Sequence, residues 1–164
     1  MILAPYGGGA LVTGIASVAK ALKPSIDVFA CEIETGAPLA AAFANNQITE
    51  VPYTKSWVDG IGSSRVLDDM WPLVQSCVDN SIVVTLKETA RALKLLIERN
   101  HLICEGASAT TIAAGLWHYK TLVDQGKAGR RRENNPSKPI KIVAVLSGAG
   151  IDSETIIKCL RNEL

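Results

Sequence analysis

The sequence predicts an α/β fold, and three observations predict it. Short apolar runs of strand length alternate with stretches of helical periodicity. Glycine-rich turns join a strand to a helix near both ends of the chain, at Gly7-Gly8-Gly9 and at Gly148-Ala149-Gly150. The composition is 48% hydrophobic but only 5% aromatic, so Ala, Val, Ile, Leu and 13 Gly supply the bulk, which suits small-residue helices packed on a strand layer. The 164 residues fit one ordinary domain, 1–164, and leave little for a second. Seventeen Lys+Arg against 16 Asp+Glu leave a net charge of +1 and no basic surface for nucleic acid. Gly, Ser or Lys break every apolar stretch before the roughly 20 residues of a membrane span, and Met1-Ile-Leu-Ala-Pro does not open like a leader. A cytoplasmic protein that meets no membrane is expected. Cys31, Cys77, Cys104 and Cys159 form no C-x-x-C pair, so they read as buried thiols of a reducing compartment.

Ile2, Leu3 and Ala4 read as a strand end entering Pro5-Tyr6 and the glycine run. Leu11, Ile15, Val18 and Leu22 recur at helical spacing until Pro24, which predicts a helix over Ala10 to Leu22. Ile26 to Cys31 reads as a short buried strand ending at Glu32, and Pro38 to Asn45 as a helix with proline in its first turn. Residues 51–64 are irregular. Asp69 is the expected N-cap of a helix running through Pro72 to Val78, and Ser81 to Val84 is a strand. Thr85-Leu86-Lys87-Glu88 has capping-box spacing and opens a helix to about Arg99. Ser108 to Tyr119 is a further helix of small residues. Residues 125–139, with Arg130-Arg131-Arg132, have the composition of a solvated connector. Ile140 to Leu146 is the clearest buried strand, and Asp152-Ser153 opens a last helix with Ile156, Ile157, Leu160 and Leu164 on one side.

Gly7-Gly8-Gly9-Ala10 at a strand-to-helix junction has a physical reason to bind phosphate. Residues without side chains let backbone N–H groups approach an anion, and the helix N-terminus behind them carries a partial positive charge. A tight turn needing positive φ produces the same letters, so both readings stand. No Lys-Ser/Thr pair follows, which disfavours nucleotide triphosphate hydrolysis. The spacing misses G-x-G-x-x-G, and only Glu32 keeps a dinucleotide reading alive.

Five blocks arrive in order: Pro5 to Ala16, Val28 to Glu32, Val58-Asp59-Gly60-Ile61, Asn100 to Ala107, and Val145 to Asp152. In order and spacing they resemble the pyridoxal-phosphate enzymes of the serine/threonine dehydratase and serine racemase family, over nearly the whole chain. The resemblance implies a tryptophan synthase β-like fold, a three-layer and mostly parallel sheet with helices on both faces. It implies pyridoxal 5'-phosphate, its phosphate held by Gly7, Gly8, Gly9, Ala10 and Leu11. Ala10 departs from a glycine, which a helical φ would tolerate. Ser147 matches the hydroxyl facing the pyridine nitrogen, Glu105 an acid beside the ring, and Gly60 a glycine whose backbone passes nearby. For Glu105, a helix N-terminal acid stabilised by the macrodipole is a second reading that does not exclude the first. A neutral serine leaves the ring a weaker electron sink, which suits β-elimination.

The activity implied is dehydration and deamination of L-threonine, L-serine or a related β-hydroxy amino acid to a 2-oxo acid and ammonia, with racemisation as the alternative. Some members also bind a divalent cation, at positions that are Glu32, Gly36 and Pro38 here. Proline has no carboxylate, which weighs against a metal. The family's Schiff-base lysine and its substrate-carboxylate loop lie before the glycine run, and none of the ten lysines sits in a comparable context. The chain is therefore expected to be a C-terminal part of such an enzyme, truncated at its first strand and inactive alone. It would form a homo-oligomer or associate with the missing N-terminal part through the exposed sheet edge. A non-catalytic phosphate-binding or assembly module is the other reading.

Overall fold

The computed structural model describes residues 1–126 and 139–164. Apart from its ends, the expected connector over 125–139, with Arg130-Arg131-Arg132, lies outside the described residues. Four parallel strands form one sheet in the order β3-β2-β1-β4: β1 (Ile2–Pro5), β2 (Val28–Ile33), β3 (Asn80–Val84) and β4 (Val143–Ala144). Leu3 lies opposite Phe29, and Cys31 opposite Ile82. The helices are α1 (Ala10–Leu22), α2 (Pro38–Asn45), α3 (Trp71–Cys77), α4 (Leu86–Leu95), α5 (Gly106–Trp117), α6 (Tyr119–Gln125) and α7 (Ser153–Arg161).

Alternation along β2 sorts these helices into two layers. Val28 and Ala30 join a core built from α1, α2 and α3, with Val12, Leu39 and Val74. Phe29, Cys31 and Ile33 join the opposite core, with Leu93 of α4, Ala109 and Ala113 of α5, Leu122 of α6 and Cys159 of α7. With a strand on each side and helices on both faces, every β2 residue is buried. The three-layer parallel architecture expected from the sequence is the one observed. Among the described residues no helix is long and apolar enough to cross a membrane.

Several elements differ from expectation for local reasons. Ile26 N–H turns back to Lys23 O (2.9 Å), so β2 begins at Val28 and runs on to Ile33. Met70, not Asp69, is the N-cap of α3, because a turn from Leu67 O to the N–H groups of Met70 and Trp71 already leads into the helix. The capping box forms as predicted, with Glu88 N–H donating to Thr85 Oγ1 (3.1 Å) and Thr85 N–H to Glu88 Oε2 (2.8 Å). The helix it opens is α-helical only to Leu95. It then widens into a π-helical turn over Leu96–Asn100, which His101 closes in the left-handed region at φ 57°. Helix α5 begins two residues early, at Gly106, and α6 was not expected.

On α1, Leu11, Val18 and Leu22 of the expected apolar stripe face outward. The smaller Val12, Thr13 and Ala16 let the helix approach the sheet. The strand expected over Ile140 to Leu146 is only two residues long, and Val143 is 57% exposed, with β4 at the end of the sheet among the described residues. On α7 the buried residue is Cys159, while Ile157 is exposed.

Candidate active site

Strands β1 and β4 lie side by side, but the chain leaves β1 for α1 on one face and β4 for α7 on the other. Where neighbouring connections diverge like this, a crevice opens beyond the carboxyl ends of the strands. A cavity of about 220 Å³ lies there. Gly7, Gly8, Gly9, Ala10, Leu11, Gly60, Glu105 and Ser147, taken from four separate segments of sequence, all line it.

One wall is the glycine loop. Gly9 is the N-cap of α1 at φ +96°, and a Cβ there would stand 3.2 Å from Met70 Cε and 3.3 Å from Tyr6 Cε2. Glycine is thus required by conformation and by space. Ala10 is the first helical residue, so its methyl group needs no special φ. No side chain caps α1 and its first turn has no acid. The first intrahelical bond runs from Thr13 N–H to Gly9 O (3.1 Å), which leaves the N–H groups of Ala10, Leu11 and Val12 without helical acceptors. At Gly8 a Cβ would meet nothing closer than Leu67 Cδ1 at 4.0 Å. Tyr6 is buried, and its hydroxyl has no hydrogen-bond partner among the described residues. Burial, and then the Glu32 carboxylate, push its pKa up to about 12.

Glu105 and Ser147 also line the cavity. Glu105 occupies the N-cap of α5 but does not cap it. Its carboxylate crosses to the loop after Ser147 instead, where Oε2 accepts Gly150 N–H at 3.3 Å. Glycines make room for it: a Cβ at Gly60 would lie 2.9 Å, and one at Gly148 2.5 Å, from Oε1. Ser108, which sequence reasoning missed, is buried behind this loop and hydrogen-bonded to Gly148. Its only advance signal is a hydroxyl one turn into a helix otherwise rich in alanine.

A second cavity of about 210 Å³ shares Gly7, Gly8, Gly60 and Ile61 with the first and adds Asp59, Ser63 and Arg65. Arg65 Nη2 pairs there with Asp68 Oδ1 at 2.6 Å, an exposed pair worth about 1 kcal/mol or less. Among the described residues, no lysine lines either cavity.

Glu32, the first of the expected cation ligands, is already engaged. Leu39 N–H donates to Oε1 (2.8 Å), while Ala40 N–H (2.7 Å) and Ser81 Oγ (2.6 Å) donate to Oε2. It thereby anchors the N-terminus of α2 to β3. Burial pushes its carboxyl pKa up against the pull of these three bonds. A hard cation would have to displace the bonds and keep the buried group ionised, so Glu32 and Gly36 do not fit a metal. Among the described residues no three His, Cys, Asp or Glu side chains stand together as a ligand set.

The large cavity does fit a flat phosphorylated pyridine. Its lining combines the first residues of α1, whose backbone donors lack helical acceptors, with an uncharged hydroxyl residue, Ser147.

Comparison with known proteins points the same way. The family model for pyridoxal-phosphate-dependent enzymes matches residues 1–147. An L-threonine ammonia-lyase of Geobacter sulfurreducens is 32% identical over 155 residues, which are 94% of this chain and 35% of that protein. The catabolic L-threonine dehydratase of Escherichia coli is 32% identical over 151 residues, 92% of this chain and 42% of that protein. The crystal structure of serine racemase from Dictyostelium discoideum superposes with a TM-score of 0.73 at 30% identity, over 92% of this chain and 44% of that one. The chain thus spans less than half the length of these relatives.

Proposed function

Since the chain belongs to the pyridoxal-phosphate-dependent enzyme family, we propose that it supplies the phosphate-holding and ring-nitrogen side of the active site of an amino-acid dehydratase. The substrate class is L-threonine, L-serine or a related β-hydroxy amino acid, released as a 2-oxo acid and ammonia. The observation that carries this reading is the convergence of the eight residues on one cavity at the switch between β1 and β4.

Each residue's part follows from its chemistry. The N–H groups of the glycine loop and of the first turn of α1 hold the cofactor phosphate, an interaction worth up to about 2 kcal/mol from the helix terminus alone. The Ser147 hydroxyl hydrogen-bonds the ring nitrogen without fixing a proton on it, as an aspartate would. Glu105 props the Ser147 loop against Gly60. Bound pyridoxal phosphate supplies the electron sink that weakens the bonds at the substrate α-carbon. Proton abstraction is assigned to the lysine-bearing region that the resemblance places before the glycine run. In the cell the chain works in the cytoplasm against such a region or a further copy. The first strand is paired on both sides, contrary to the edge expected there, so the surface offered to a partner is the edge of β4, open among the described residues, with the outward face of α1. Racemisation of serine by the assembled enzyme is the second reading, supported by the serine racemase among the relatives.

Titration with pyridoxal phosphate, followed by absorbance, tests the cofactor assignment. Saturable binding without an imine band is expected, and no binding overturns it. Incubation with pyridoxal phosphate and L-threonine tests the division of labour. No 2-oxobutanoate is expected, and turnover at enzymatic rates would show that this chain needs no other region.

A further inference from the structure

The sheet stops short of Ser147. Strand β4 pairs with β1 over two residues, the next bond runs from Val145 N–H to Leu3 O (2.9 Å), and Leu146 and Ser147 are exposed beyond it. Gly148, Ala149 and Gly150 bring no polar side chain to hold the loop. The first turn of α5 holds it instead. Ser108, with no exposed surface, donates its hydroxyl to Gly148 O (3.0 Å), and the same oxygen accepts Gly148 N–H (2.9 Å). Glu105 N–H donates to that carbonyl as well (3.0 Å). Both polar groups of the residue following Ser147 are therefore tied to one buried hydroxyl.

We propose that Ser108 is a positioning residue that aims the Ser147 hydroxyl at the pyridine nitrogen and takes no part in the phosphate cradle. This rests on the cofactor reading above. A hydroxyl donates one hydrogen bond while accepting another, so serine holds the Gly148 N–H and C=O together, and alanine would leave the N–H without its acceptor and the carbonyl on the Glu105 N–H alone. The effect should fall on one end of the ligand only, because the cradle belongs to the turn after β1 and the pin to α5.

The 164-residue chain is titrated with pyridoxine 5'-phosphate, which keeps the ring and phosphate but has no aldehyde, and separately with inorganic phosphate. Amide exchange at Gly148 is followed by NMR. Ser108→Ala should weaken pyridoxine 5'-phosphate about tenfold, the worth of roughly one hydrogen bond, leave inorganic phosphate within about twofold, and speed Gly148 exchange at least about tenfold. If Ser108→Ala does not fold, Ser108→Thr, which keeps the hydroxyl, is set against Ser108→Val, which keeps the shape without it. Only the threonine variant should then behave as the parent. Unchanged Gly148 exchange, equal weakening of both ligands, or indistinguishable Thr and Val variants would overturn the proposal. A parent chain that binds neither ligand would instead overturn the cofactor reading, and the exchange rate at Gly148 would still decide whether Ser108 pins the loop.

Discussion

The turn after β1 and the turn after β4 are written in nearly the same letters, follow adjacent parallel strands and feed one helix each, yet they are built for different ends. Helix α1 begins at a glycine and leaves its first donors open. Helix α7 closes its own terminus, with Asp152 Oδ1 accepting Thr155 N–H at 2.8 Å and Oδ2 accepting the Thr155 hydroxyl at 2.7 Å. The glycines differ in cause as well. Gly9 is glycine because of its backbone conformation, and Gly148 because the Glu105 carboxylate lies against it. A glycine run marks an anion site only where the helix behind it is left uncapped.

Four substitutions break or sharpen that contrast. Gly9→Ala should cost about 2 kcal/mol in urea denaturation, the scale of a non-glycine residue forced to positive φ, and should abolish phosphate binding. A loss within experimental error would refute the conformational argument. Gly148→Ala should cost less, about 1 kcal/mol, because the atoms it meets end a flexible side chain that can swing away. Its signature is faster amide exchange at Gly150 with phosphate affinity intact.

Asp152→Ala should lower stability by a smaller amount still and leave phosphate binding untouched. The Thr155 hydroxyl and N–H hold the Asp152 carboxyl below its usual 3.8, so this contribution is present above that pH and fades as the pH falls through the folded value. Urea curves of parent and variant should therefore converge in acid. Glu32 has the opposite sign, since burial raises its folded pKa above 4.5. Its contribution is fully present below that pH and is lost as the pH rises through the folded value. The smallest change in stability, within about 0.5 kcal/mol, belongs to Gly8→Ala, whose Cβ has open space. Phosphate affinity should fall nonetheless, as the methyl group enters the cradle.

The legible parts of the molecule are those whose causes are local. Helices over Ala10–Leu22 and Pro38–Asn45 and the Thr85–Glu88 box came from spacing, proline and capping chemistry, all within a few residues. The run Ile140 to Leu146 misled because seven mostly apolar residues say nothing about neighbours. Burial of a strand depends on partners, and β4 has one among the described residues. Leu11, Val18 and Leu22 misled for a related reason, since periodicity reveals a stripe and not the side on which the sheet lies. The glycine loop suggested a phosphate site by its own physics. Gly60, Glu105 and Ser147 could be linked to it only through resemblance, because each sits on a different segment and only the folded sheet brings them together. Ser108 was invisible because its partners are backbone atoms 40 residues away.

The pairing of Ile2 with Val143 sets an order of events. Strands β1, β2 and β3 lie within the first 84 residues, but β1 gains its second neighbour only when β4 arrives from the far end. Parallel pairing over such a separation closes a large loop before any contact rewards it, which makes it slow. The strand that carries the glycine loop therefore waits with an open edge during folding, the state in which a sheet is most exposed to wrong partners. Completion of the pocket is therefore expected late in folding, because Ser147 follows β4, although the loop that starts it is among the first residues of the chain.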